Sequence, residues 1–206
     1  MTNILLKACF AVLIILAKLV LKKYKPKIIA ITGSVGKSST KEAIYTALSR
    51  VLSVRKSVDG ERAELTTALA ILGCGSPRES ISKWFSILIE GVKLWLLPNH
   101  YPEWLVVVSG SDRPGDINSL CKWMSPDVVI VTRFDRVPVH VEFFPSREAL
   151  INDKGCLVSS LKKGGKLILN ADDKEVLAFA DFSDVKPILF GKSKEADVRL
   201  LDSKLL

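Results

Sequence analysis

Apolar positions along this chain fall into two kinds of stretch that take turns. Short, largely β-branched runs at 28–32, 51–54, 103–108, 126–132 and 166–170 read as strands, most of them buried on both faces. Longer stretches between them have helical spacing. One runs through Glu42, Ala43, Ala47 and Leu48 to about Arg50; others cover 65–73, 80–97, the residues after Ile117 through Trp123, and Arg147–Leu161. Gly73-Cys74-Gly75-Ser76-Pro77, Pro98 with Pro102, and Gly164-Gly165 punctuate them. Strands alternating with helices predict an α/β fold, a doubly wound, mostly parallel sheet with flanking helices. Ligands of such sheets bind at the carboxyl ends of the strands. The residues just after strands, including Thr132, His140 and Asn170, are therefore placed to converge.

Residues 4–21 break the alternation, being apolar except for Lys7 and Lys18. Eleven residues apart, these lysines fall within about 20° of each other on a helix, and Lys22 and Lys25 continue the stripe. Such a helix can lie in a membrane interface, span with its lysines snorkelling, or pack on another domain or partner. The cluster Lys22-Lys23-Tyr24-Lys25 would mark the cytoplasmic side of a span. No small-residue cleavage site precedes the first strand, which argues against a cleaved signal peptide. The expected organisation is a basic apolar helix over 1–25 and an α/β domain over 26–206. In the 80–97 helix, Trp84, Leu88 and Trp95 are expected to face the core, although aromatics at this spacing can also meet lipid.

The first strand leads into Gly33-Ser34-Val35-Gly36-Lys37-Ser38-Ser39, followed directly by a helix. Strand, glycine turn and helix in this order form a phosphate-binding loop. Glycines let backbone N–H groups converge, the helix start adds unpaired donors, and a lysine reaches the terminal phosphates. Gly33, Ser34, Val35, Gly36, Lys37, Ser38 and Ser39 are the candidate nucleotide contacts, with the Ser38 hydroxyl a candidate Mg²⁺ ligand. The longer G-x-x-x-x-G-K-[ST] pattern would need glycine where Ile31 stands. An ordinary strand-to-helix turn with a solvated lysine has the same spacing.

The 206 residues suffice for one sizeable core. The net charge of +8 is concentrated near the N-terminus, in Lys18, Lys22, Lys23, Lys25 and Lys27, and favours anionic partners such as nucleotides or lipid headgroups. No nucleic-acid-binding module is present, so no nucleic-acid partner is expected. Cys9, Cys74, Cys121 and Cys156 have no paired spacing and read as reduced, mostly buried thiols.

Several stretches in order, ITGSVGKSSTKEA, YPEWL…SGSDRPGDI, PDVVIVT…VHVEFFPS and DKGCLVSSLKKGGKLILNADD, resemble the Mur ligases across about residues 26–195. The resemblance is strongest to the members that add D-alanyl-D-alanine to a UDP-muramoyl tripeptide. It implies ATP and Mg²⁺ as cofactors, a UDP-muramoyl-peptide and D-alanyl-D-alanine as substrates, and an acyl-phosphate intermediate attacked by an amine. It further implies that Lys37 neutralises phosphoryl charge, that Ser38 and His140 hold metal, that Lys154 is the helix lysine some members carbamylate, and that Asn170 contacts adenine. Asp112 and Asp116 most simply cap the helix that follows them.

This sequence departs from the family pattern at polar positions. Val108 stands where a metal-binding glutamate usually ends the third strand, and valine has no oxygen to offer a hard cation. Of the substrate loop, Arg62-Ala63-Glu64-Leu65-Thr66 keeps only the glutamate, and Cys156 replaces a common glutamate. The stretch also lacks counterparts of the family's UDP-sugar-binding and C-terminal domains. A fragment, a truncated product and a catalytically degenerate, scaffold-like relative are all compatible with this.

Overall fold

A computed structural model describes residues 3–58, 60, 62–77, 80–110, 113–134 and 144–201. Its described strands form one sheet in the order β2-β3-β1-β4-β5-β6-β7, every neighbouring pair parallel. They are β1 (Lys27–Thr32), β2 (Val54–Lys56), β3 (Trp104–Val108), β4 (Val128–Val131), β5 (Lys166–Asn170), β6 (Ile188–Gly191) and β7 (Val198–Arg199). The helices are α1 (Asn3–Tyr24), α2 (Lys37–Leu48), α3 (Ala63–Leu72), α4 (Ile81–Leu96), α5 (Asp116–Cys121), α6 (Arg147–Ser159) and α7 (Lys174–Leu177), the last running into a 3-10 turn over Ala178–Phe182.

The expected doubly wound parallel sheet is present. β2 is displaced from its expected place: Val51 is exposed in a turn, and pairing begins at Val54, opposite Trp104. β6 and β7 lie beyond the expected set. Their half-exposed and exposed residues give only a weak apolar run.

Strand residues divide by parity, as the pleat requires. Ile28, Ala30, Leu105, Val107, Val129, Val131, Leu167 and Leu169 face the larger core, shared with α1, α3, α4, α5 and α6. Ile29, Ile31, Val106 and Ile130 face the other side, where Ile44 and Leu48 of α2 cover them.

α1 belongs to the larger core. Leu13, Ala17 and Val20 are wholly buried, and the helix lies along α3 and α4. Its close approach to α4 depends on Gly91. A Cβ there would come 3.0 Å from both Leu16 Cδ1 and Leu72 Cδ1. The helix ends are tied together by Lys23, whose Nζ donates to the carbonyls of Leu94, Trp95 and Leu97 at 3.1, 2.9 and 2.7 Å. The Tyr24 hydroxyl donates to Leu94 O, and its ring stacks on Tyr101. A membrane span would have to peel these residues off the domain. Of the α4 aromatics, Trp84 is buried as expected, whereas Trp95 is 40% exposed.

Candidate nucleotide site

β1 is central, with β3 on one side and β4 on the other. The chain leaves β1 for β2 and β3 and later returns past it to β4, so the strand order reverses at β1. In open parallel sheets the crevice at this reversal is the ligand site. The turn from β1 into α2 occupies it.

Gly33 has φ 135° and Gly36 φ 87°, both in the region that disfavours side chains. Gly33 is also fixed by space, because a Cβ would come 2.2 Å from Thr132 Oγ1. Thr132, just after β4, donates its hydroxyl to Val35 O at 2.7 Å and Thr32 O at 3.1 Å, holding the loop against the sheet. The N–H groups of Ser34 and Val35 donate to Arg133 O at 2.7 and 3.3 Å. Gly36 then opens α2 without a side-chain cap, so the first-turn amides face the crevice mouth with no intrahelical acceptor. Ser38 and Ser39 are exposed on that turn.

Two lysines converge on the loop. Lys37 Nζ donates to Gly33 O and Ser34 O, each at 3.0 Å. Lys154, 4% exposed, reaches from α6 to donate to Gly33 O at 3.3 Å and lies over the Phe134 ring. The structure thus brings Lys37 and Lys154 together at the glycine loop. Asp153, beside Lys154 in sequence and buried, accepts from Gly115 N at 3.0 Å and ties α6 to the start of α5. Sequence reading passed over Asp153, although its place next to a candidate lysine was the available signal. Gly115 is the helix cap, and Asp116 accepts from Arg113 N at 3.0 Å within the same turn. Asp112 lies outside the described residues.

Asn170 ends β5 at the same edge of the sheet, and its Oδ1 accepts from Asp172 N at 3.0 Å, a strand-end turn. Asp173 follows as the cap of α7 and also accepts from Phe134 N at 2.8 Å, joining the β4 and β5 ends. Asp172 accepts from the N–H groups of Lys192 and Ser193, and these bonds hold its carboxyl below the usual carboxylate range. Glu64 accepts from Trp123 Nε1 at 2.9 Å, a packing contact between α3 and the turn after α5.

At the end of β3, Val108 is half-buried, and its N–H donates to Ser57 Oγ at 3.1 Å. Lys41, 2% exposed, donates to Ser57 O at 3.2 Å and lies 3.6 Å from Glu42 Oε1. A buried lysine and an apolar end of β3 therefore adjoin where a metal carboxylate would be expected. Among the described residues, no three His, Cys, Asp or Glu side chains gather in one place. His140 lies outside the described residues. For Mg²⁺, the donor set that fits is the Ser38 hydroxyl together with phosphate oxygens and water; a second metal ligated by residue 108 does not fit. All four cysteines are free thiols. Burial pushes Cys121 up to about 11 and raises Cys74 and Cys156, which suits inert thiols and not nucleophiles.

Residues 31–204 match the family model of the Mur ligase middle domain. The UDP-N-acetylmuramoyl-tripeptide–D-alanyl-D-alanine ligase of Rickettsia prowazekii is 26% identical over 186 residues, covering 88% of this chain and 36% of its own. The enzyme of the same name from Mycobacterium leprae is 28% identical over 154 residues, or 75% and 25% of the two chains. Among solved structures, the MurF ligase of Thermotoga maritima in complex with ADP superposes with a TM-score of 0.66 and 27% identity, over 89% of this chain and 36% of that one. A folylpolyglutamate-synthase-type structure, the FPGS–AMPPCP complex, shares the fold at a TM-score of 0.53 and 14% identity, over 86% and 48%. The chain spans about a quarter to a third of the length of the curated relatives cited. The strand order, the glycine loop at the reversal and the converging lysines agree with this match: the chain belongs to the Mur ligase family, through its middle domain.

Proposed function

We propose that this chain carries the ATP-binding part of an amide-forming ligase of peptidoglycan precursor synthesis, working in the cytoplasm. The supporting observation is the meeting of Lys37 and Lys154 at Gly33, at the strand-order reversal of a Mur ligase middle domain. Gly33 to Ser39 cradle the phosphates, the two ammonium groups balance charge on the phosphoryl being transferred, and Asn170 borders the base. The Ser38 hydroxyl, together with the phosphates, would hold Mg²⁺, which would supply further charge neutralisation. His140 is a second candidate ligand. The reaction passes the terminal phosphoryl of ATP to a substrate carboxylate, and an amine then attacks the acyl carbon and expels phosphate. By family membership the carboxylate belongs to a UDP-muramoyl tripeptide and the amine to D-alanyl-D-alanine. Calorimetric titration of the full chain with ATP, with and without Mg²⁺, tests the reading. Micromolar binding that disappears in Lys37→Ala is expected, and a folded protein that binds no ATP refutes it.

Val108 favours a second reading, in which the chain binds nucleotide without turning it over. Val108→Glu separates the two readings: tighter binding of Mg²⁺-ATP supports a site that is otherwise intact, and no change supports the non-catalytic one.

A further inference from the structure

Both α1 and α4 are buried on one side and apolar on the other. On α4 the buried line is Trp84, Ile87, Gly91 and Leu94. The opposite line, Ile81, Phe85, Ile89, Val92 and Leu96, repeats at helical spacing and is exposed, Phe85 by 51%, Ile89 by 53% and Leu96 by 62%. On α1, Ile4, Val12 and Ile15 are exposed by 80%, 42% and 56%. Leu16 and Lys23 mark the side of α1 turned to α4. At about 100° per residue, Leu5 and Val12 lie along that same side, and Ile4 and Ile15 about a quarter turn round from it, on the exposed side of the helix. The two exposed apolar lines therefore run next to each other and form one face. Soluble proteins scatter exposed apolar residues singly; a joined face marks a binding surface.

The borders of this face are basic or polar. Lys7 and Lys18 flank it on α1, and Ser82, Ser86 and Lys93 flank it on α4. At the end of α1, Lys18, Lys22 and Lys25 line a cleft of about 450 Å³ with Trp123. On α4, Lys93 is paired with Glu90 at 2.8 Å, so the free cationic border is that of α1. An apolar face with lysines along one border and a cationic cleft at one end matches acyl chains beneath anionic headgroups. We propose that the joined faces of α1 and α4 seat this protein flat on an anionic lipid bilayer, with the lysine cleft at the level of the headgroup phosphates. This is an in-plane attachment that keeps Leu13, Ala17 and Val20 in the core, and α4 takes part in it as an equal.

Vesicle flotation of the full chain, diluted from mild detergent, tests the proposal. One set of vesicles is phosphatidylcholine alone and the other contains equal parts phosphatidylglycerol. Wild type is expected to float with the anionic vesicles. The exposed pair Phe85→Ser/Ile89→Ser, with an unchanged thermal melt, is expected to lose about tenfold or more in the bound-to-free ratio. Lys7→Gln/Lys18→Gln is expected to lose the preference for anionic lipid. The proposal is overturned if wild type does not float, or if the α4 pair floats as well as wild type. It is also overturned if sedimentation without lipid shows a dimer that the α4 pair dissolves, since a second copy would then cover the face.

Discussion

Lys37 and Lys154 donate to a single acceptor, the carbonyl oxygen of Gly33, at 3.0 and 3.3 Å. They come from helices on opposite faces of the sheet, α2 packing on the smaller core and α6 on the larger. Each helix is positioned by its own apolar contacts, so the two ammonium groups are held together by the whole fold. Charge-assisted contacts to phosphate are worth about 1.5–3 kcal/mol each. Lys37→Ala and Lys154→Ala are each expected to weaken ATP binding by about tenfold to a hundredfold, measured by calorimetry. An undiminished affinity in both variants would separate these lysines from the nucleotide.

Gly33 is constrained both by its backbone angle and by Thr132. Gly33→Ala is expected to cost about 1–3 kcal/mol in urea unfolding, the range for strained backbone positions, and to abolish ATP binding. Thr132→Ala alone removes the hydroxyl bonds to Thr32 and Val35 and is expected to loosen the loop without the steric penalty. If Gly33→Ala is as stable as wild type, the close approach of Thr132 is not a constraint on the loop.

Val108→Glu returns a carboxylate to the end of β3. It is expected to tighten ATP binding when Mg²⁺ is present and to leave metal-free binding unchanged, with Val108→Gln as the uncharged control. Equal effects of Glu and Gln, or a change without Mg²⁺, would argue against a metal role at this position.

The burial of α1 sets a stability test. Leu13→Ala removes a wholly buried side chain and is expected to lower unfolding stability by about 2–5 kcal/mol. A helix tethered beside the domain would show almost no change. For the same reason, removing residues 1–22 is expected to strip the cover from α3 and α4 and yield insoluble protein.

Asp172 gives a pH dependence. Backbone N–H groups hold its folded value below the ordinary 3.8, so its contribution is present above about that pH and is lost as pH falls through the lower, folded value. Acid melts of Asp172→Asn should therefore approach those of wild type at low pH and fall below them near neutrality. A constant difference at all pH values would assign the effect to packing.

Much of this architecture was legible in the chain. The run at 28–32 and the glycines that follow it dictate a buried strand and a phosphate-type turn, and both are there. The place of α1 was not legible, because an apolar helix looks the same whether its partner is lipid or protein; only the tertiary contacts of Leu13 and Val20 decide. Trp84 and Trp95 share one helical stripe by spacing yet differ in exposure, since α1 stops beside the α4 C-terminus. The meeting of Lys154 with Lys37 could be expected from family resemblance but not from spacing, with 116 residues of chain between them.

The β2 margin of the sheet is only three residues long, and two of them are cationic. Arg55 folds inward onto the carbonyls of Ala70 and Ile71, while Lys56 pairs with Glu42. So short and charged an edge offers a poor template to a further strand. Growth of the sheet by strand addition is thereby disfavoured on the β2 side.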